Sequence, residues 1–140
     1  MPVRCEIVSQ NRIVYQGDVD MVVLPGASGE MGVLPHHAPI LSVLTYGVIR
    51  VRSHGKDEFF TVAGGVAEVQ PDQVTVLADA AENVEEIDVR RASAARERAE
   101  VLLKEGASLD TDAYLQIQAA LKRSHLRIDA VHRYSRNRRP

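Results

Sequence analysis

Two stretches of this chain carry residue types that could do chemistry. The first, Gly29 to Leu41 (GEMGVLPHHAPIL), holds the adjacent histidines His36 and His37, with Glu30 seven residues before His37 and two prolines. A metal site is the first chemistry to weigh. Neighbouring residues on extended backbone point to opposite sides, so His36 and His37 do not converge on one ion. His54, His125 and His132 are scattered, and no other cluster of His, Cys, Asp or Glu has ligand spacing. A metal needs several converging ligands, so no metal is expected.

The second stretch is rich in arginine. Asp88 and Arg91 stand i, i+3 at the start of a helical pattern, where a surface ion pair contributes about 0.2–0.5 kcal/mol. Arg98 follows Arg91 by seven residues, on the same side of the helix. If the chain turns near Ser108, Arg91 falls about opposite His125, one helical step from Arg123 and Arg127. Guanidinium groups gathered without matching acids repel one another unless an anion joins them. Their planar forks suit phosphate oxygens, so a triphosphate is a natural guest.

Nothing points to a catalytic residue. There is no G-x-S-x-G nucleophile elbow, and the single cysteine, Cys5, sits at a strand start. Gly26, Gly29 and Gly32 have the spacing G-x-x-G-x-x-G, which is not the dinucleotide fingerprint, and no G-K-[S/T] phosphate loop is present. Gly64-Gly65 lies between strand runs and marks a bulge or a close backbone approach.

The elements that must position these residues fall into two halves with two periods. Up to about residue 80 the pattern is short and strand-like. Arg12-Ile13-Val14-Tyr15 follows a polar turn, and Asp18 to Val23 alternates, with Val19, Met21 and Val23 expected on one side. Ile49 and Val51 share a face opposite Arg50 and Arg52. Val66–Val69 and Val74–Leu77, joined by Gln70-Pro71-Asp72-Gln73, read as a hairpin, with Pro71 presetting the turn. Gly and Pro punctuate these runs about every ten residues, the spacing of a sandwich or barrel.

After Ile87 the period lengthens. Ala92, Ala95, Ala99 and Leu102 recur at steps of 3, 4 and 3, one helix face. Gly106 and Ser108 break that pattern, and Asp110 is placed to cap a second helix. There Ala113, Ile117, Ala120, Leu121, Ser124, Ile128 and Val131 form one stripe. Two amphipathic helices on a short loop make an antiparallel hairpin. Its facing residues are small, so it buries little apolar area and is weakly held. The expected class is therefore α+β: an antiparallel β-sandwich over residues 1–84, then a two-helix antiparallel hairpin over residues 85–140. The break falls near Asn83–Glu86.

Composition narrows the function. Aromatics make up 4% of the chain with no Trp, so the core must be Val, Ile, Leu and Ala. No apolar run approaches the ~20 residues that a spanning helix needs. Met1-Pro2-Val3 leads straight into alternating sequence, without a signal peptide, and the lone Cys5 gives no disulfide framework. A cytoplasmic protein is expected. Residues 1–120 carry 10 basic and 18 acidic side chains, net −8, whereas residues 121–140 carry 7 basic and 1 acidic, net +6. A basic end on an acidic body suits an anionic partner or a solvated tail.

Several of these segments, in order, resemble the epsilon subunit of the bacterial and chloroplast F-type ATP synthase. They are Gly29-Glu30-Met31-Gly32-Val33-Leu34-Pro35 with His37-Ala38-Pro39, Gly64 to Val69, Val74 to Asp79, Ile87-Asp88-Val89-Arg90-Arg91-Ala92 and Ala120-Leu121-Lys122-Arg123. The resemblance covers nearly the whole chain. It implies a non-catalytic rotor subunit of the central stalk, peripheral on the cytoplasmic face of the membrane or its plastid equivalent. Glu30 and His37 would face the membrane ring of c subunits, and other sandwich surface would bind the gamma subunit. The helices would regulate ATP hydrolysis, folded down to leave the motor free or extended to reach the alpha and beta subunits. By the same resemblance Arg123, Arg127, Arg133 and Arg136 would make the inhibitory contacts. No cofactor is required, but a weakly bound regulatory ATP is implied at Glu82, Asp88, Arg91, Ala92, Arg98, Arg123 and Arg127. Gln116 stands where a well-binding member carries another arginine. His36 stands where Gly or Asn is usual before His-Ala-Pro, so position 36 is expected to need an unusual backbone angle.

Two other classes are open to the sequence. One is a free nucleotide sensor built on the hairpin. The other is a nucleic-acid binder using Arg133–Arg139. Tyr134 is the one stacking residue in that segment and the acidic body would repel phosphates, so no nucleic acid is expected as partner.

Overall fold

The computed structural model describes residues 2–106 and 110–136. Ser108, Arg138 and Arg139, to which the sequence assigned a turn and part of the basic end, lie outside the described residues. Eight strands come first: β1 (Val3–Ser9), β2 (Arg12–Val19), β3 (Met21–Gly26), β4 (Gly29–Val33), β5 (Ile40–Ser53), β6 (Lys56–Val69), β7 (Gln73–Ala78) and β8 (Ala81–Asn83). A single 3-10 turn at Val84–Glu86 leads to helices α1 (Val89–Lys104) and α2 (Thr111–Tyr134). The chain divides into two compact units between Val84 and Glu85. The fold is the β-sandwich and helical pair that the two periods imply.

Alternation builds the sandwich core. β1 buries Val3, Cys5 and Ile7, and β7 buries Val74, Val76 and Ala78. The strands run in the order β2-β1-β7-β6-β5-β3-β4, with β8 against β6. β1 and β7 are parallel, whereas the other neighbours are antiparallel, a departure from the all-antiparallel expectation. β5 and β6 are each 14 residues long and serve both layers. β5 buries Leu44 and then Ile49 and Val51, and β6 buries Phe60 and Val62 and then Ala67 and Val69. Each change of parity means that the ribbon turns over on the way, as strands do when they switch sheets at a corner.

Gly64 and Gly65 sit at that corner with φ of +91° and +136°. A Cβ on Gly65 would overlap the Leu77 carbonyl oxygen, so the glycine pair is a bend and a close approach, as its sequence context suggests. Phe60 is the largest fully buried side chain and lies tilted on Tyr15, with ring centroids 5.4 Å apart. Ile49 and Val51 point inward opposite Arg50 and Arg52, and the Val66–Val69 and Val74–Leu77 hairpin forms with Gln70 N–H on Gln73 O at 2.7 Å.

One strand reading needs correction. Met21 and Val23 do not share the buried face of Val19; Val22 and Leu24 do. The chain bends at Asp20, whose N–H donates to Arg52 O at 2.7 Å and whose carboxylate accepts from the His54 N–H at 3.1 Å. The bend ends β2 and restarts the alternation one residue out of phase, which moves the inward set to the other residues.

In the second unit both helices begin on aspartate. The Asp88 carboxylate accepts from the Arg91 N–H at 3.1 Å and that of Asp110 from the Ala113 N–H at 2.8 Å, each a cap on an otherwise orphan donor. α1 buries Ala92 and Ala99, and α2 buries Ser124 and Ala130. Ser124 Oγ donates to Ala120 O at 3.0 Å, which satisfies the one hydroxyl in the seam. Leu102, expected on the α1 stripe, is 45% exposed. Ten residues after Ala92 a straight helix has drifted about 80° round, out of the line that joins Ala92 to Ala99.

Candidate functional site

The Gly29–Leu41 segment is part strand and part loop. Gly29–Val33 is edge strand β4, on which Glu30 is exposed and registers with Pro25 of β3. Residues 34–39 form the loop. His36 has φ +70°, the unusual angle that its position was expected to need. A side chain in that left-handed region costs roughly 1–2 kcal/mol, and the surroundings hold it there. The His36 N–H donates to Pro71 O at 2.8 Å, and the His37 N–H donates to Leu34 O at 3.2 Å. His37 is half-buried rather than fully exposed, with Nδ1 2.7 Å from the Ala38 carbonyl oxygen, so that nitrogen carries the proton and Nε2 is left for other partners. Glu30 lines a shallow groove with Met31, Leu41 and Val43, to which His37 does not contribute.

Beside this segment lies a surface that the sequence reading missed. Strand register places Ile13 of β2 opposite Val8 of β1, Val8 opposite Leu77 of β7, Leu77 opposite Val66 of β6, and Val66 opposite Val43 of β5. Paired residues share a face, so five apolar side chains cross five strands in one row. At the spacing of neighbouring strands the row is about 19 Å long. It faces outward: Ile13 and Leu77 are each 59% exposed and Val43 is 63% exposed. Leu41, two residues before Val43 on the same face, is 71% exposed. Scattered surface leucines are ordinary; a contiguous row marks a surface that another body covers. The hairpin symmetry about Pro71-Asp72 already pairs Val66 with Leu77 and was readable. The parallel β1–β7 pairing that extends the row was not.

The arginine set lies mostly on the helices. Lys104 and Thr111 end and begin α1 and α2, and Arg91 and Ser124 each stand 13 residues from those ends. Equal helical rise therefore carries Arg91 to the level of Arg123 and Arg127, with Arg98 nearer the turn. Arg91 and Arg98 are exposed, Arg123 and Arg127 half-buried, Gln116 exposed and Ala92 buried in the seam. The Asp88 carboxylate meets the Arg91 backbone, not the guanidinium, so the ion pair weighed from the sequence is a helix cap. Glu82 belongs to β8 of the sandwich unit. Arg133 pairs with Asp129 at 3.2 Å, and the Arg136 N–H donates to the Glu85 carboxylate at 2.7 Å.

Cys5 offers no nucleophile: burial first, and the charge of Glu6 second, push its thiol up to about 12. Among the described residues no group of three His, Cys, Asp or Glu side chains could hold a metal ion, and no helix is long and apolar enough to cross a membrane.

A family profile described as the beta-sandwich domain of the ATP synthase delta/epsilon chain matches residues 2–84, and one described as its long alpha-helix domain matches residues 85–132. The ATP synthase epsilon chain of Syntrophobacter fumaroxidans is 49% identical over 126 residues, 90% of this chain and 92% of that one. The ATP synthase epsilon chain of Halalkalibacterium halodurans is 41% identical over 127 residues, 91% of this chain and 95% of that one. Among solved structures, a chain of the Euglena gracilis mitochondrial ATP synthase (OSCP/F1/c-ring, rotational state 1) aligns with a TM-score of 0.78 and 26% identity, covering 94% of this chain and 82% of that one.

Proposed function

This chain belongs to the ATP synthase delta/epsilon family, and from that premise we propose that it is a non-catalytic subunit of the central stalk of an F-type ATP synthase. It joins the membrane ring of c subunits to the catalytic head through gamma, and it regulates ATP hydrolysis through α1 and α2. The observation that carries the reading is the pair of family matches, which together run from residue 2 to residue 132. The sandwich is the docking body: Glu30 and the loop around His37 meet the ring, and the apolar row from Ile13 to Val43 meets gamma. The protein sits peripherally on the cytoplasmic face of the membrane, or on the plastid equivalent. Cysteines at positions 30 and 37 of the assembled complex should cross-link to cysteines on the polar loop of the c subunit. Efficient cross-links from β7 in place of this segment would reverse the orientation of the sandwich.

The hairpin also takes up ATP weakly. Arg91, Arg98, Arg123 and Arg127 supply forks for the phosphates; Asp88, Ala92 and Glu82 are the remaining positions that the family resemblance assigns to the site. Each well-formed charge-assisted contact contributes roughly 1.5–3 kcal/mol. Gln116 cannot make one to a phosphate with a guanidinium's geometry, so Gln116→Arg should tighten ATP about ten- to a hundredfold in titration calorimetry. No heat of binding from either protein removes the site.

A further inference from the structure

We propose that Glu85 is a latch that holds the far end of α2 and sets how readily the helical hairpin opens. α2 has 24 residues and α1 has 16, so α2 is longer by about 12 Å at 1.5 Å per residue. Its last turns therefore outrun the small-residue seam with α1. At their end the chain leaves the helix: Ser135 has φ −68° and ψ 135°, its own N–H still reaching Val131 O at 3.1 Å. The next donor, the Arg136 N–H, goes instead to Glu85 Oε1 at 2.7 Å. The other oxygen, Oε2, accepts from Ser135 Oγ at 3.4 Å. One carboxylate thus takes two donors from a segment 50 and 51 residues away in sequence.

The position suits a latch for three reasons. The Arg136 N–H bond is charge-assisted and has the length of a strong pair, whereas the hydroxyl contact at 3.4 Å is long. Ser135 is 8% exposed, so water competes poorly for its hydroxyl. The fully buried residues of the two helices are three alanines and a serine, whose burial contributes little. A seam of small buried residues held at its open end by the Glu85 contact is a two-state element: losing the contact shifts the balance of the whole hairpin. The latch also occupies the backbone of Arg136 and adjoins the Arg133–Asp129 pair, so the cationic end proposed to reach the catalytic head is released only when Glu85 lets go. That last consequence rests on the hairpin being the regulatory part; the latch itself does not.

The test is amide hydrogen exchange on the full chain. Glu85→Ala should speed exchange at Arg136, and across the last two turns of α2 including Ala130, by about tenfold or more, the loss of one charge-assisted bond. Sandwich amides should be unchanged, which excludes general unfolding. Glu85→Gln, which keeps an acceptor without the charge, should fall between. Arg136→Pro, which removes the donor, should open the seam more than Arg136→Ala, which keeps it. Exchange in Glu85→Ala at the rate of the unaltered protein overturns the proposal, and so does a loss confined to the Arg136 amide, because a local cap would do only that. Failure of the regulatory reading shows elsewhere, in hydrolysis by a complex that lacks the helices altogether.

Discussion

Ending the chain after Glu86 should raise ATP hydrolysis by the assembled synthase several-fold and leave proton-driven synthesis largely intact. The split behind this expectation is physical. The sandwich carries the core that holds itself together, from Val3 to Ala78, and both proposed docking surfaces. The C-terminal part of the chain carries the positive end: residues 121–140 hold 7 basic side chains against 1 acidic. By family resemblance the extended hairpin would meet an acidic segment of the catalytic beta subunit, and contacts desolvated there outweigh exposed pairs, subject to their geometry. Neutralising Arg123 and Arg127 would act on the proposed ATP site as well as on the proposed inhibitory contact, pushing the hairpin both ways. Replacing Arg133 and Arg136 with Ala separates the two effects. Hydrolysis at the same rate with and without the helices would end the inhibitory role here.

Most of the architecture was legible because hydrophobic period is set locally. Ile49 and Val51 against Arg50 and Arg52, the Pro71 turn, the Asp110 cap and the α2 stripe all follow from neighbours within a few residues. The strand error arose where a long-range contact decides the local answer. Asp20 reads as one more polar residue in an alternating run, and only its bonds to Arg52 and His54 break that run. Asp88 and Arg91 have the spacing of an ion pair, but the helix start claims the carboxylate for a backbone donor. His36 was legible as an oddity because the family resemblance puts Gly or Asn there; its left-handed φ is the reason. The apolar row and the Glu85 latch depend on register and on contacts between distant segments, about which periodicity says nothing.

The row supplies the second large expected effect. Val43→Asp and Leu77→Asp together should weaken association with gamma by at least about a hundredfold, since truncating a single central anchor of an interface costs ≥2 kcal/mol and a buried unpaired carboxylate costs more. Both side chains are more than half exposed in the isolated chain, so the sandwich does not rely on them; surface changes of this kind move stability by about 0.5 kcal/mol, up to ~1 kcal/mol where strand propensity falls. The substituted protein should therefore keep its strand signal and its melting cooperativity while losing its partner. Leu102→Asp is the matched control, because Leu102 is also exposed but belongs to α1 rather than to the sheet; it should leave the affinity within about twofold. The two losses need not add, since the residues sit in one row through Val66 and share neighbours. A folded double variant that binds gamma as tightly as the unaltered chain would mean that gamma covers another face, leaving the row from Ile13 to Val43 without its proposed occupant.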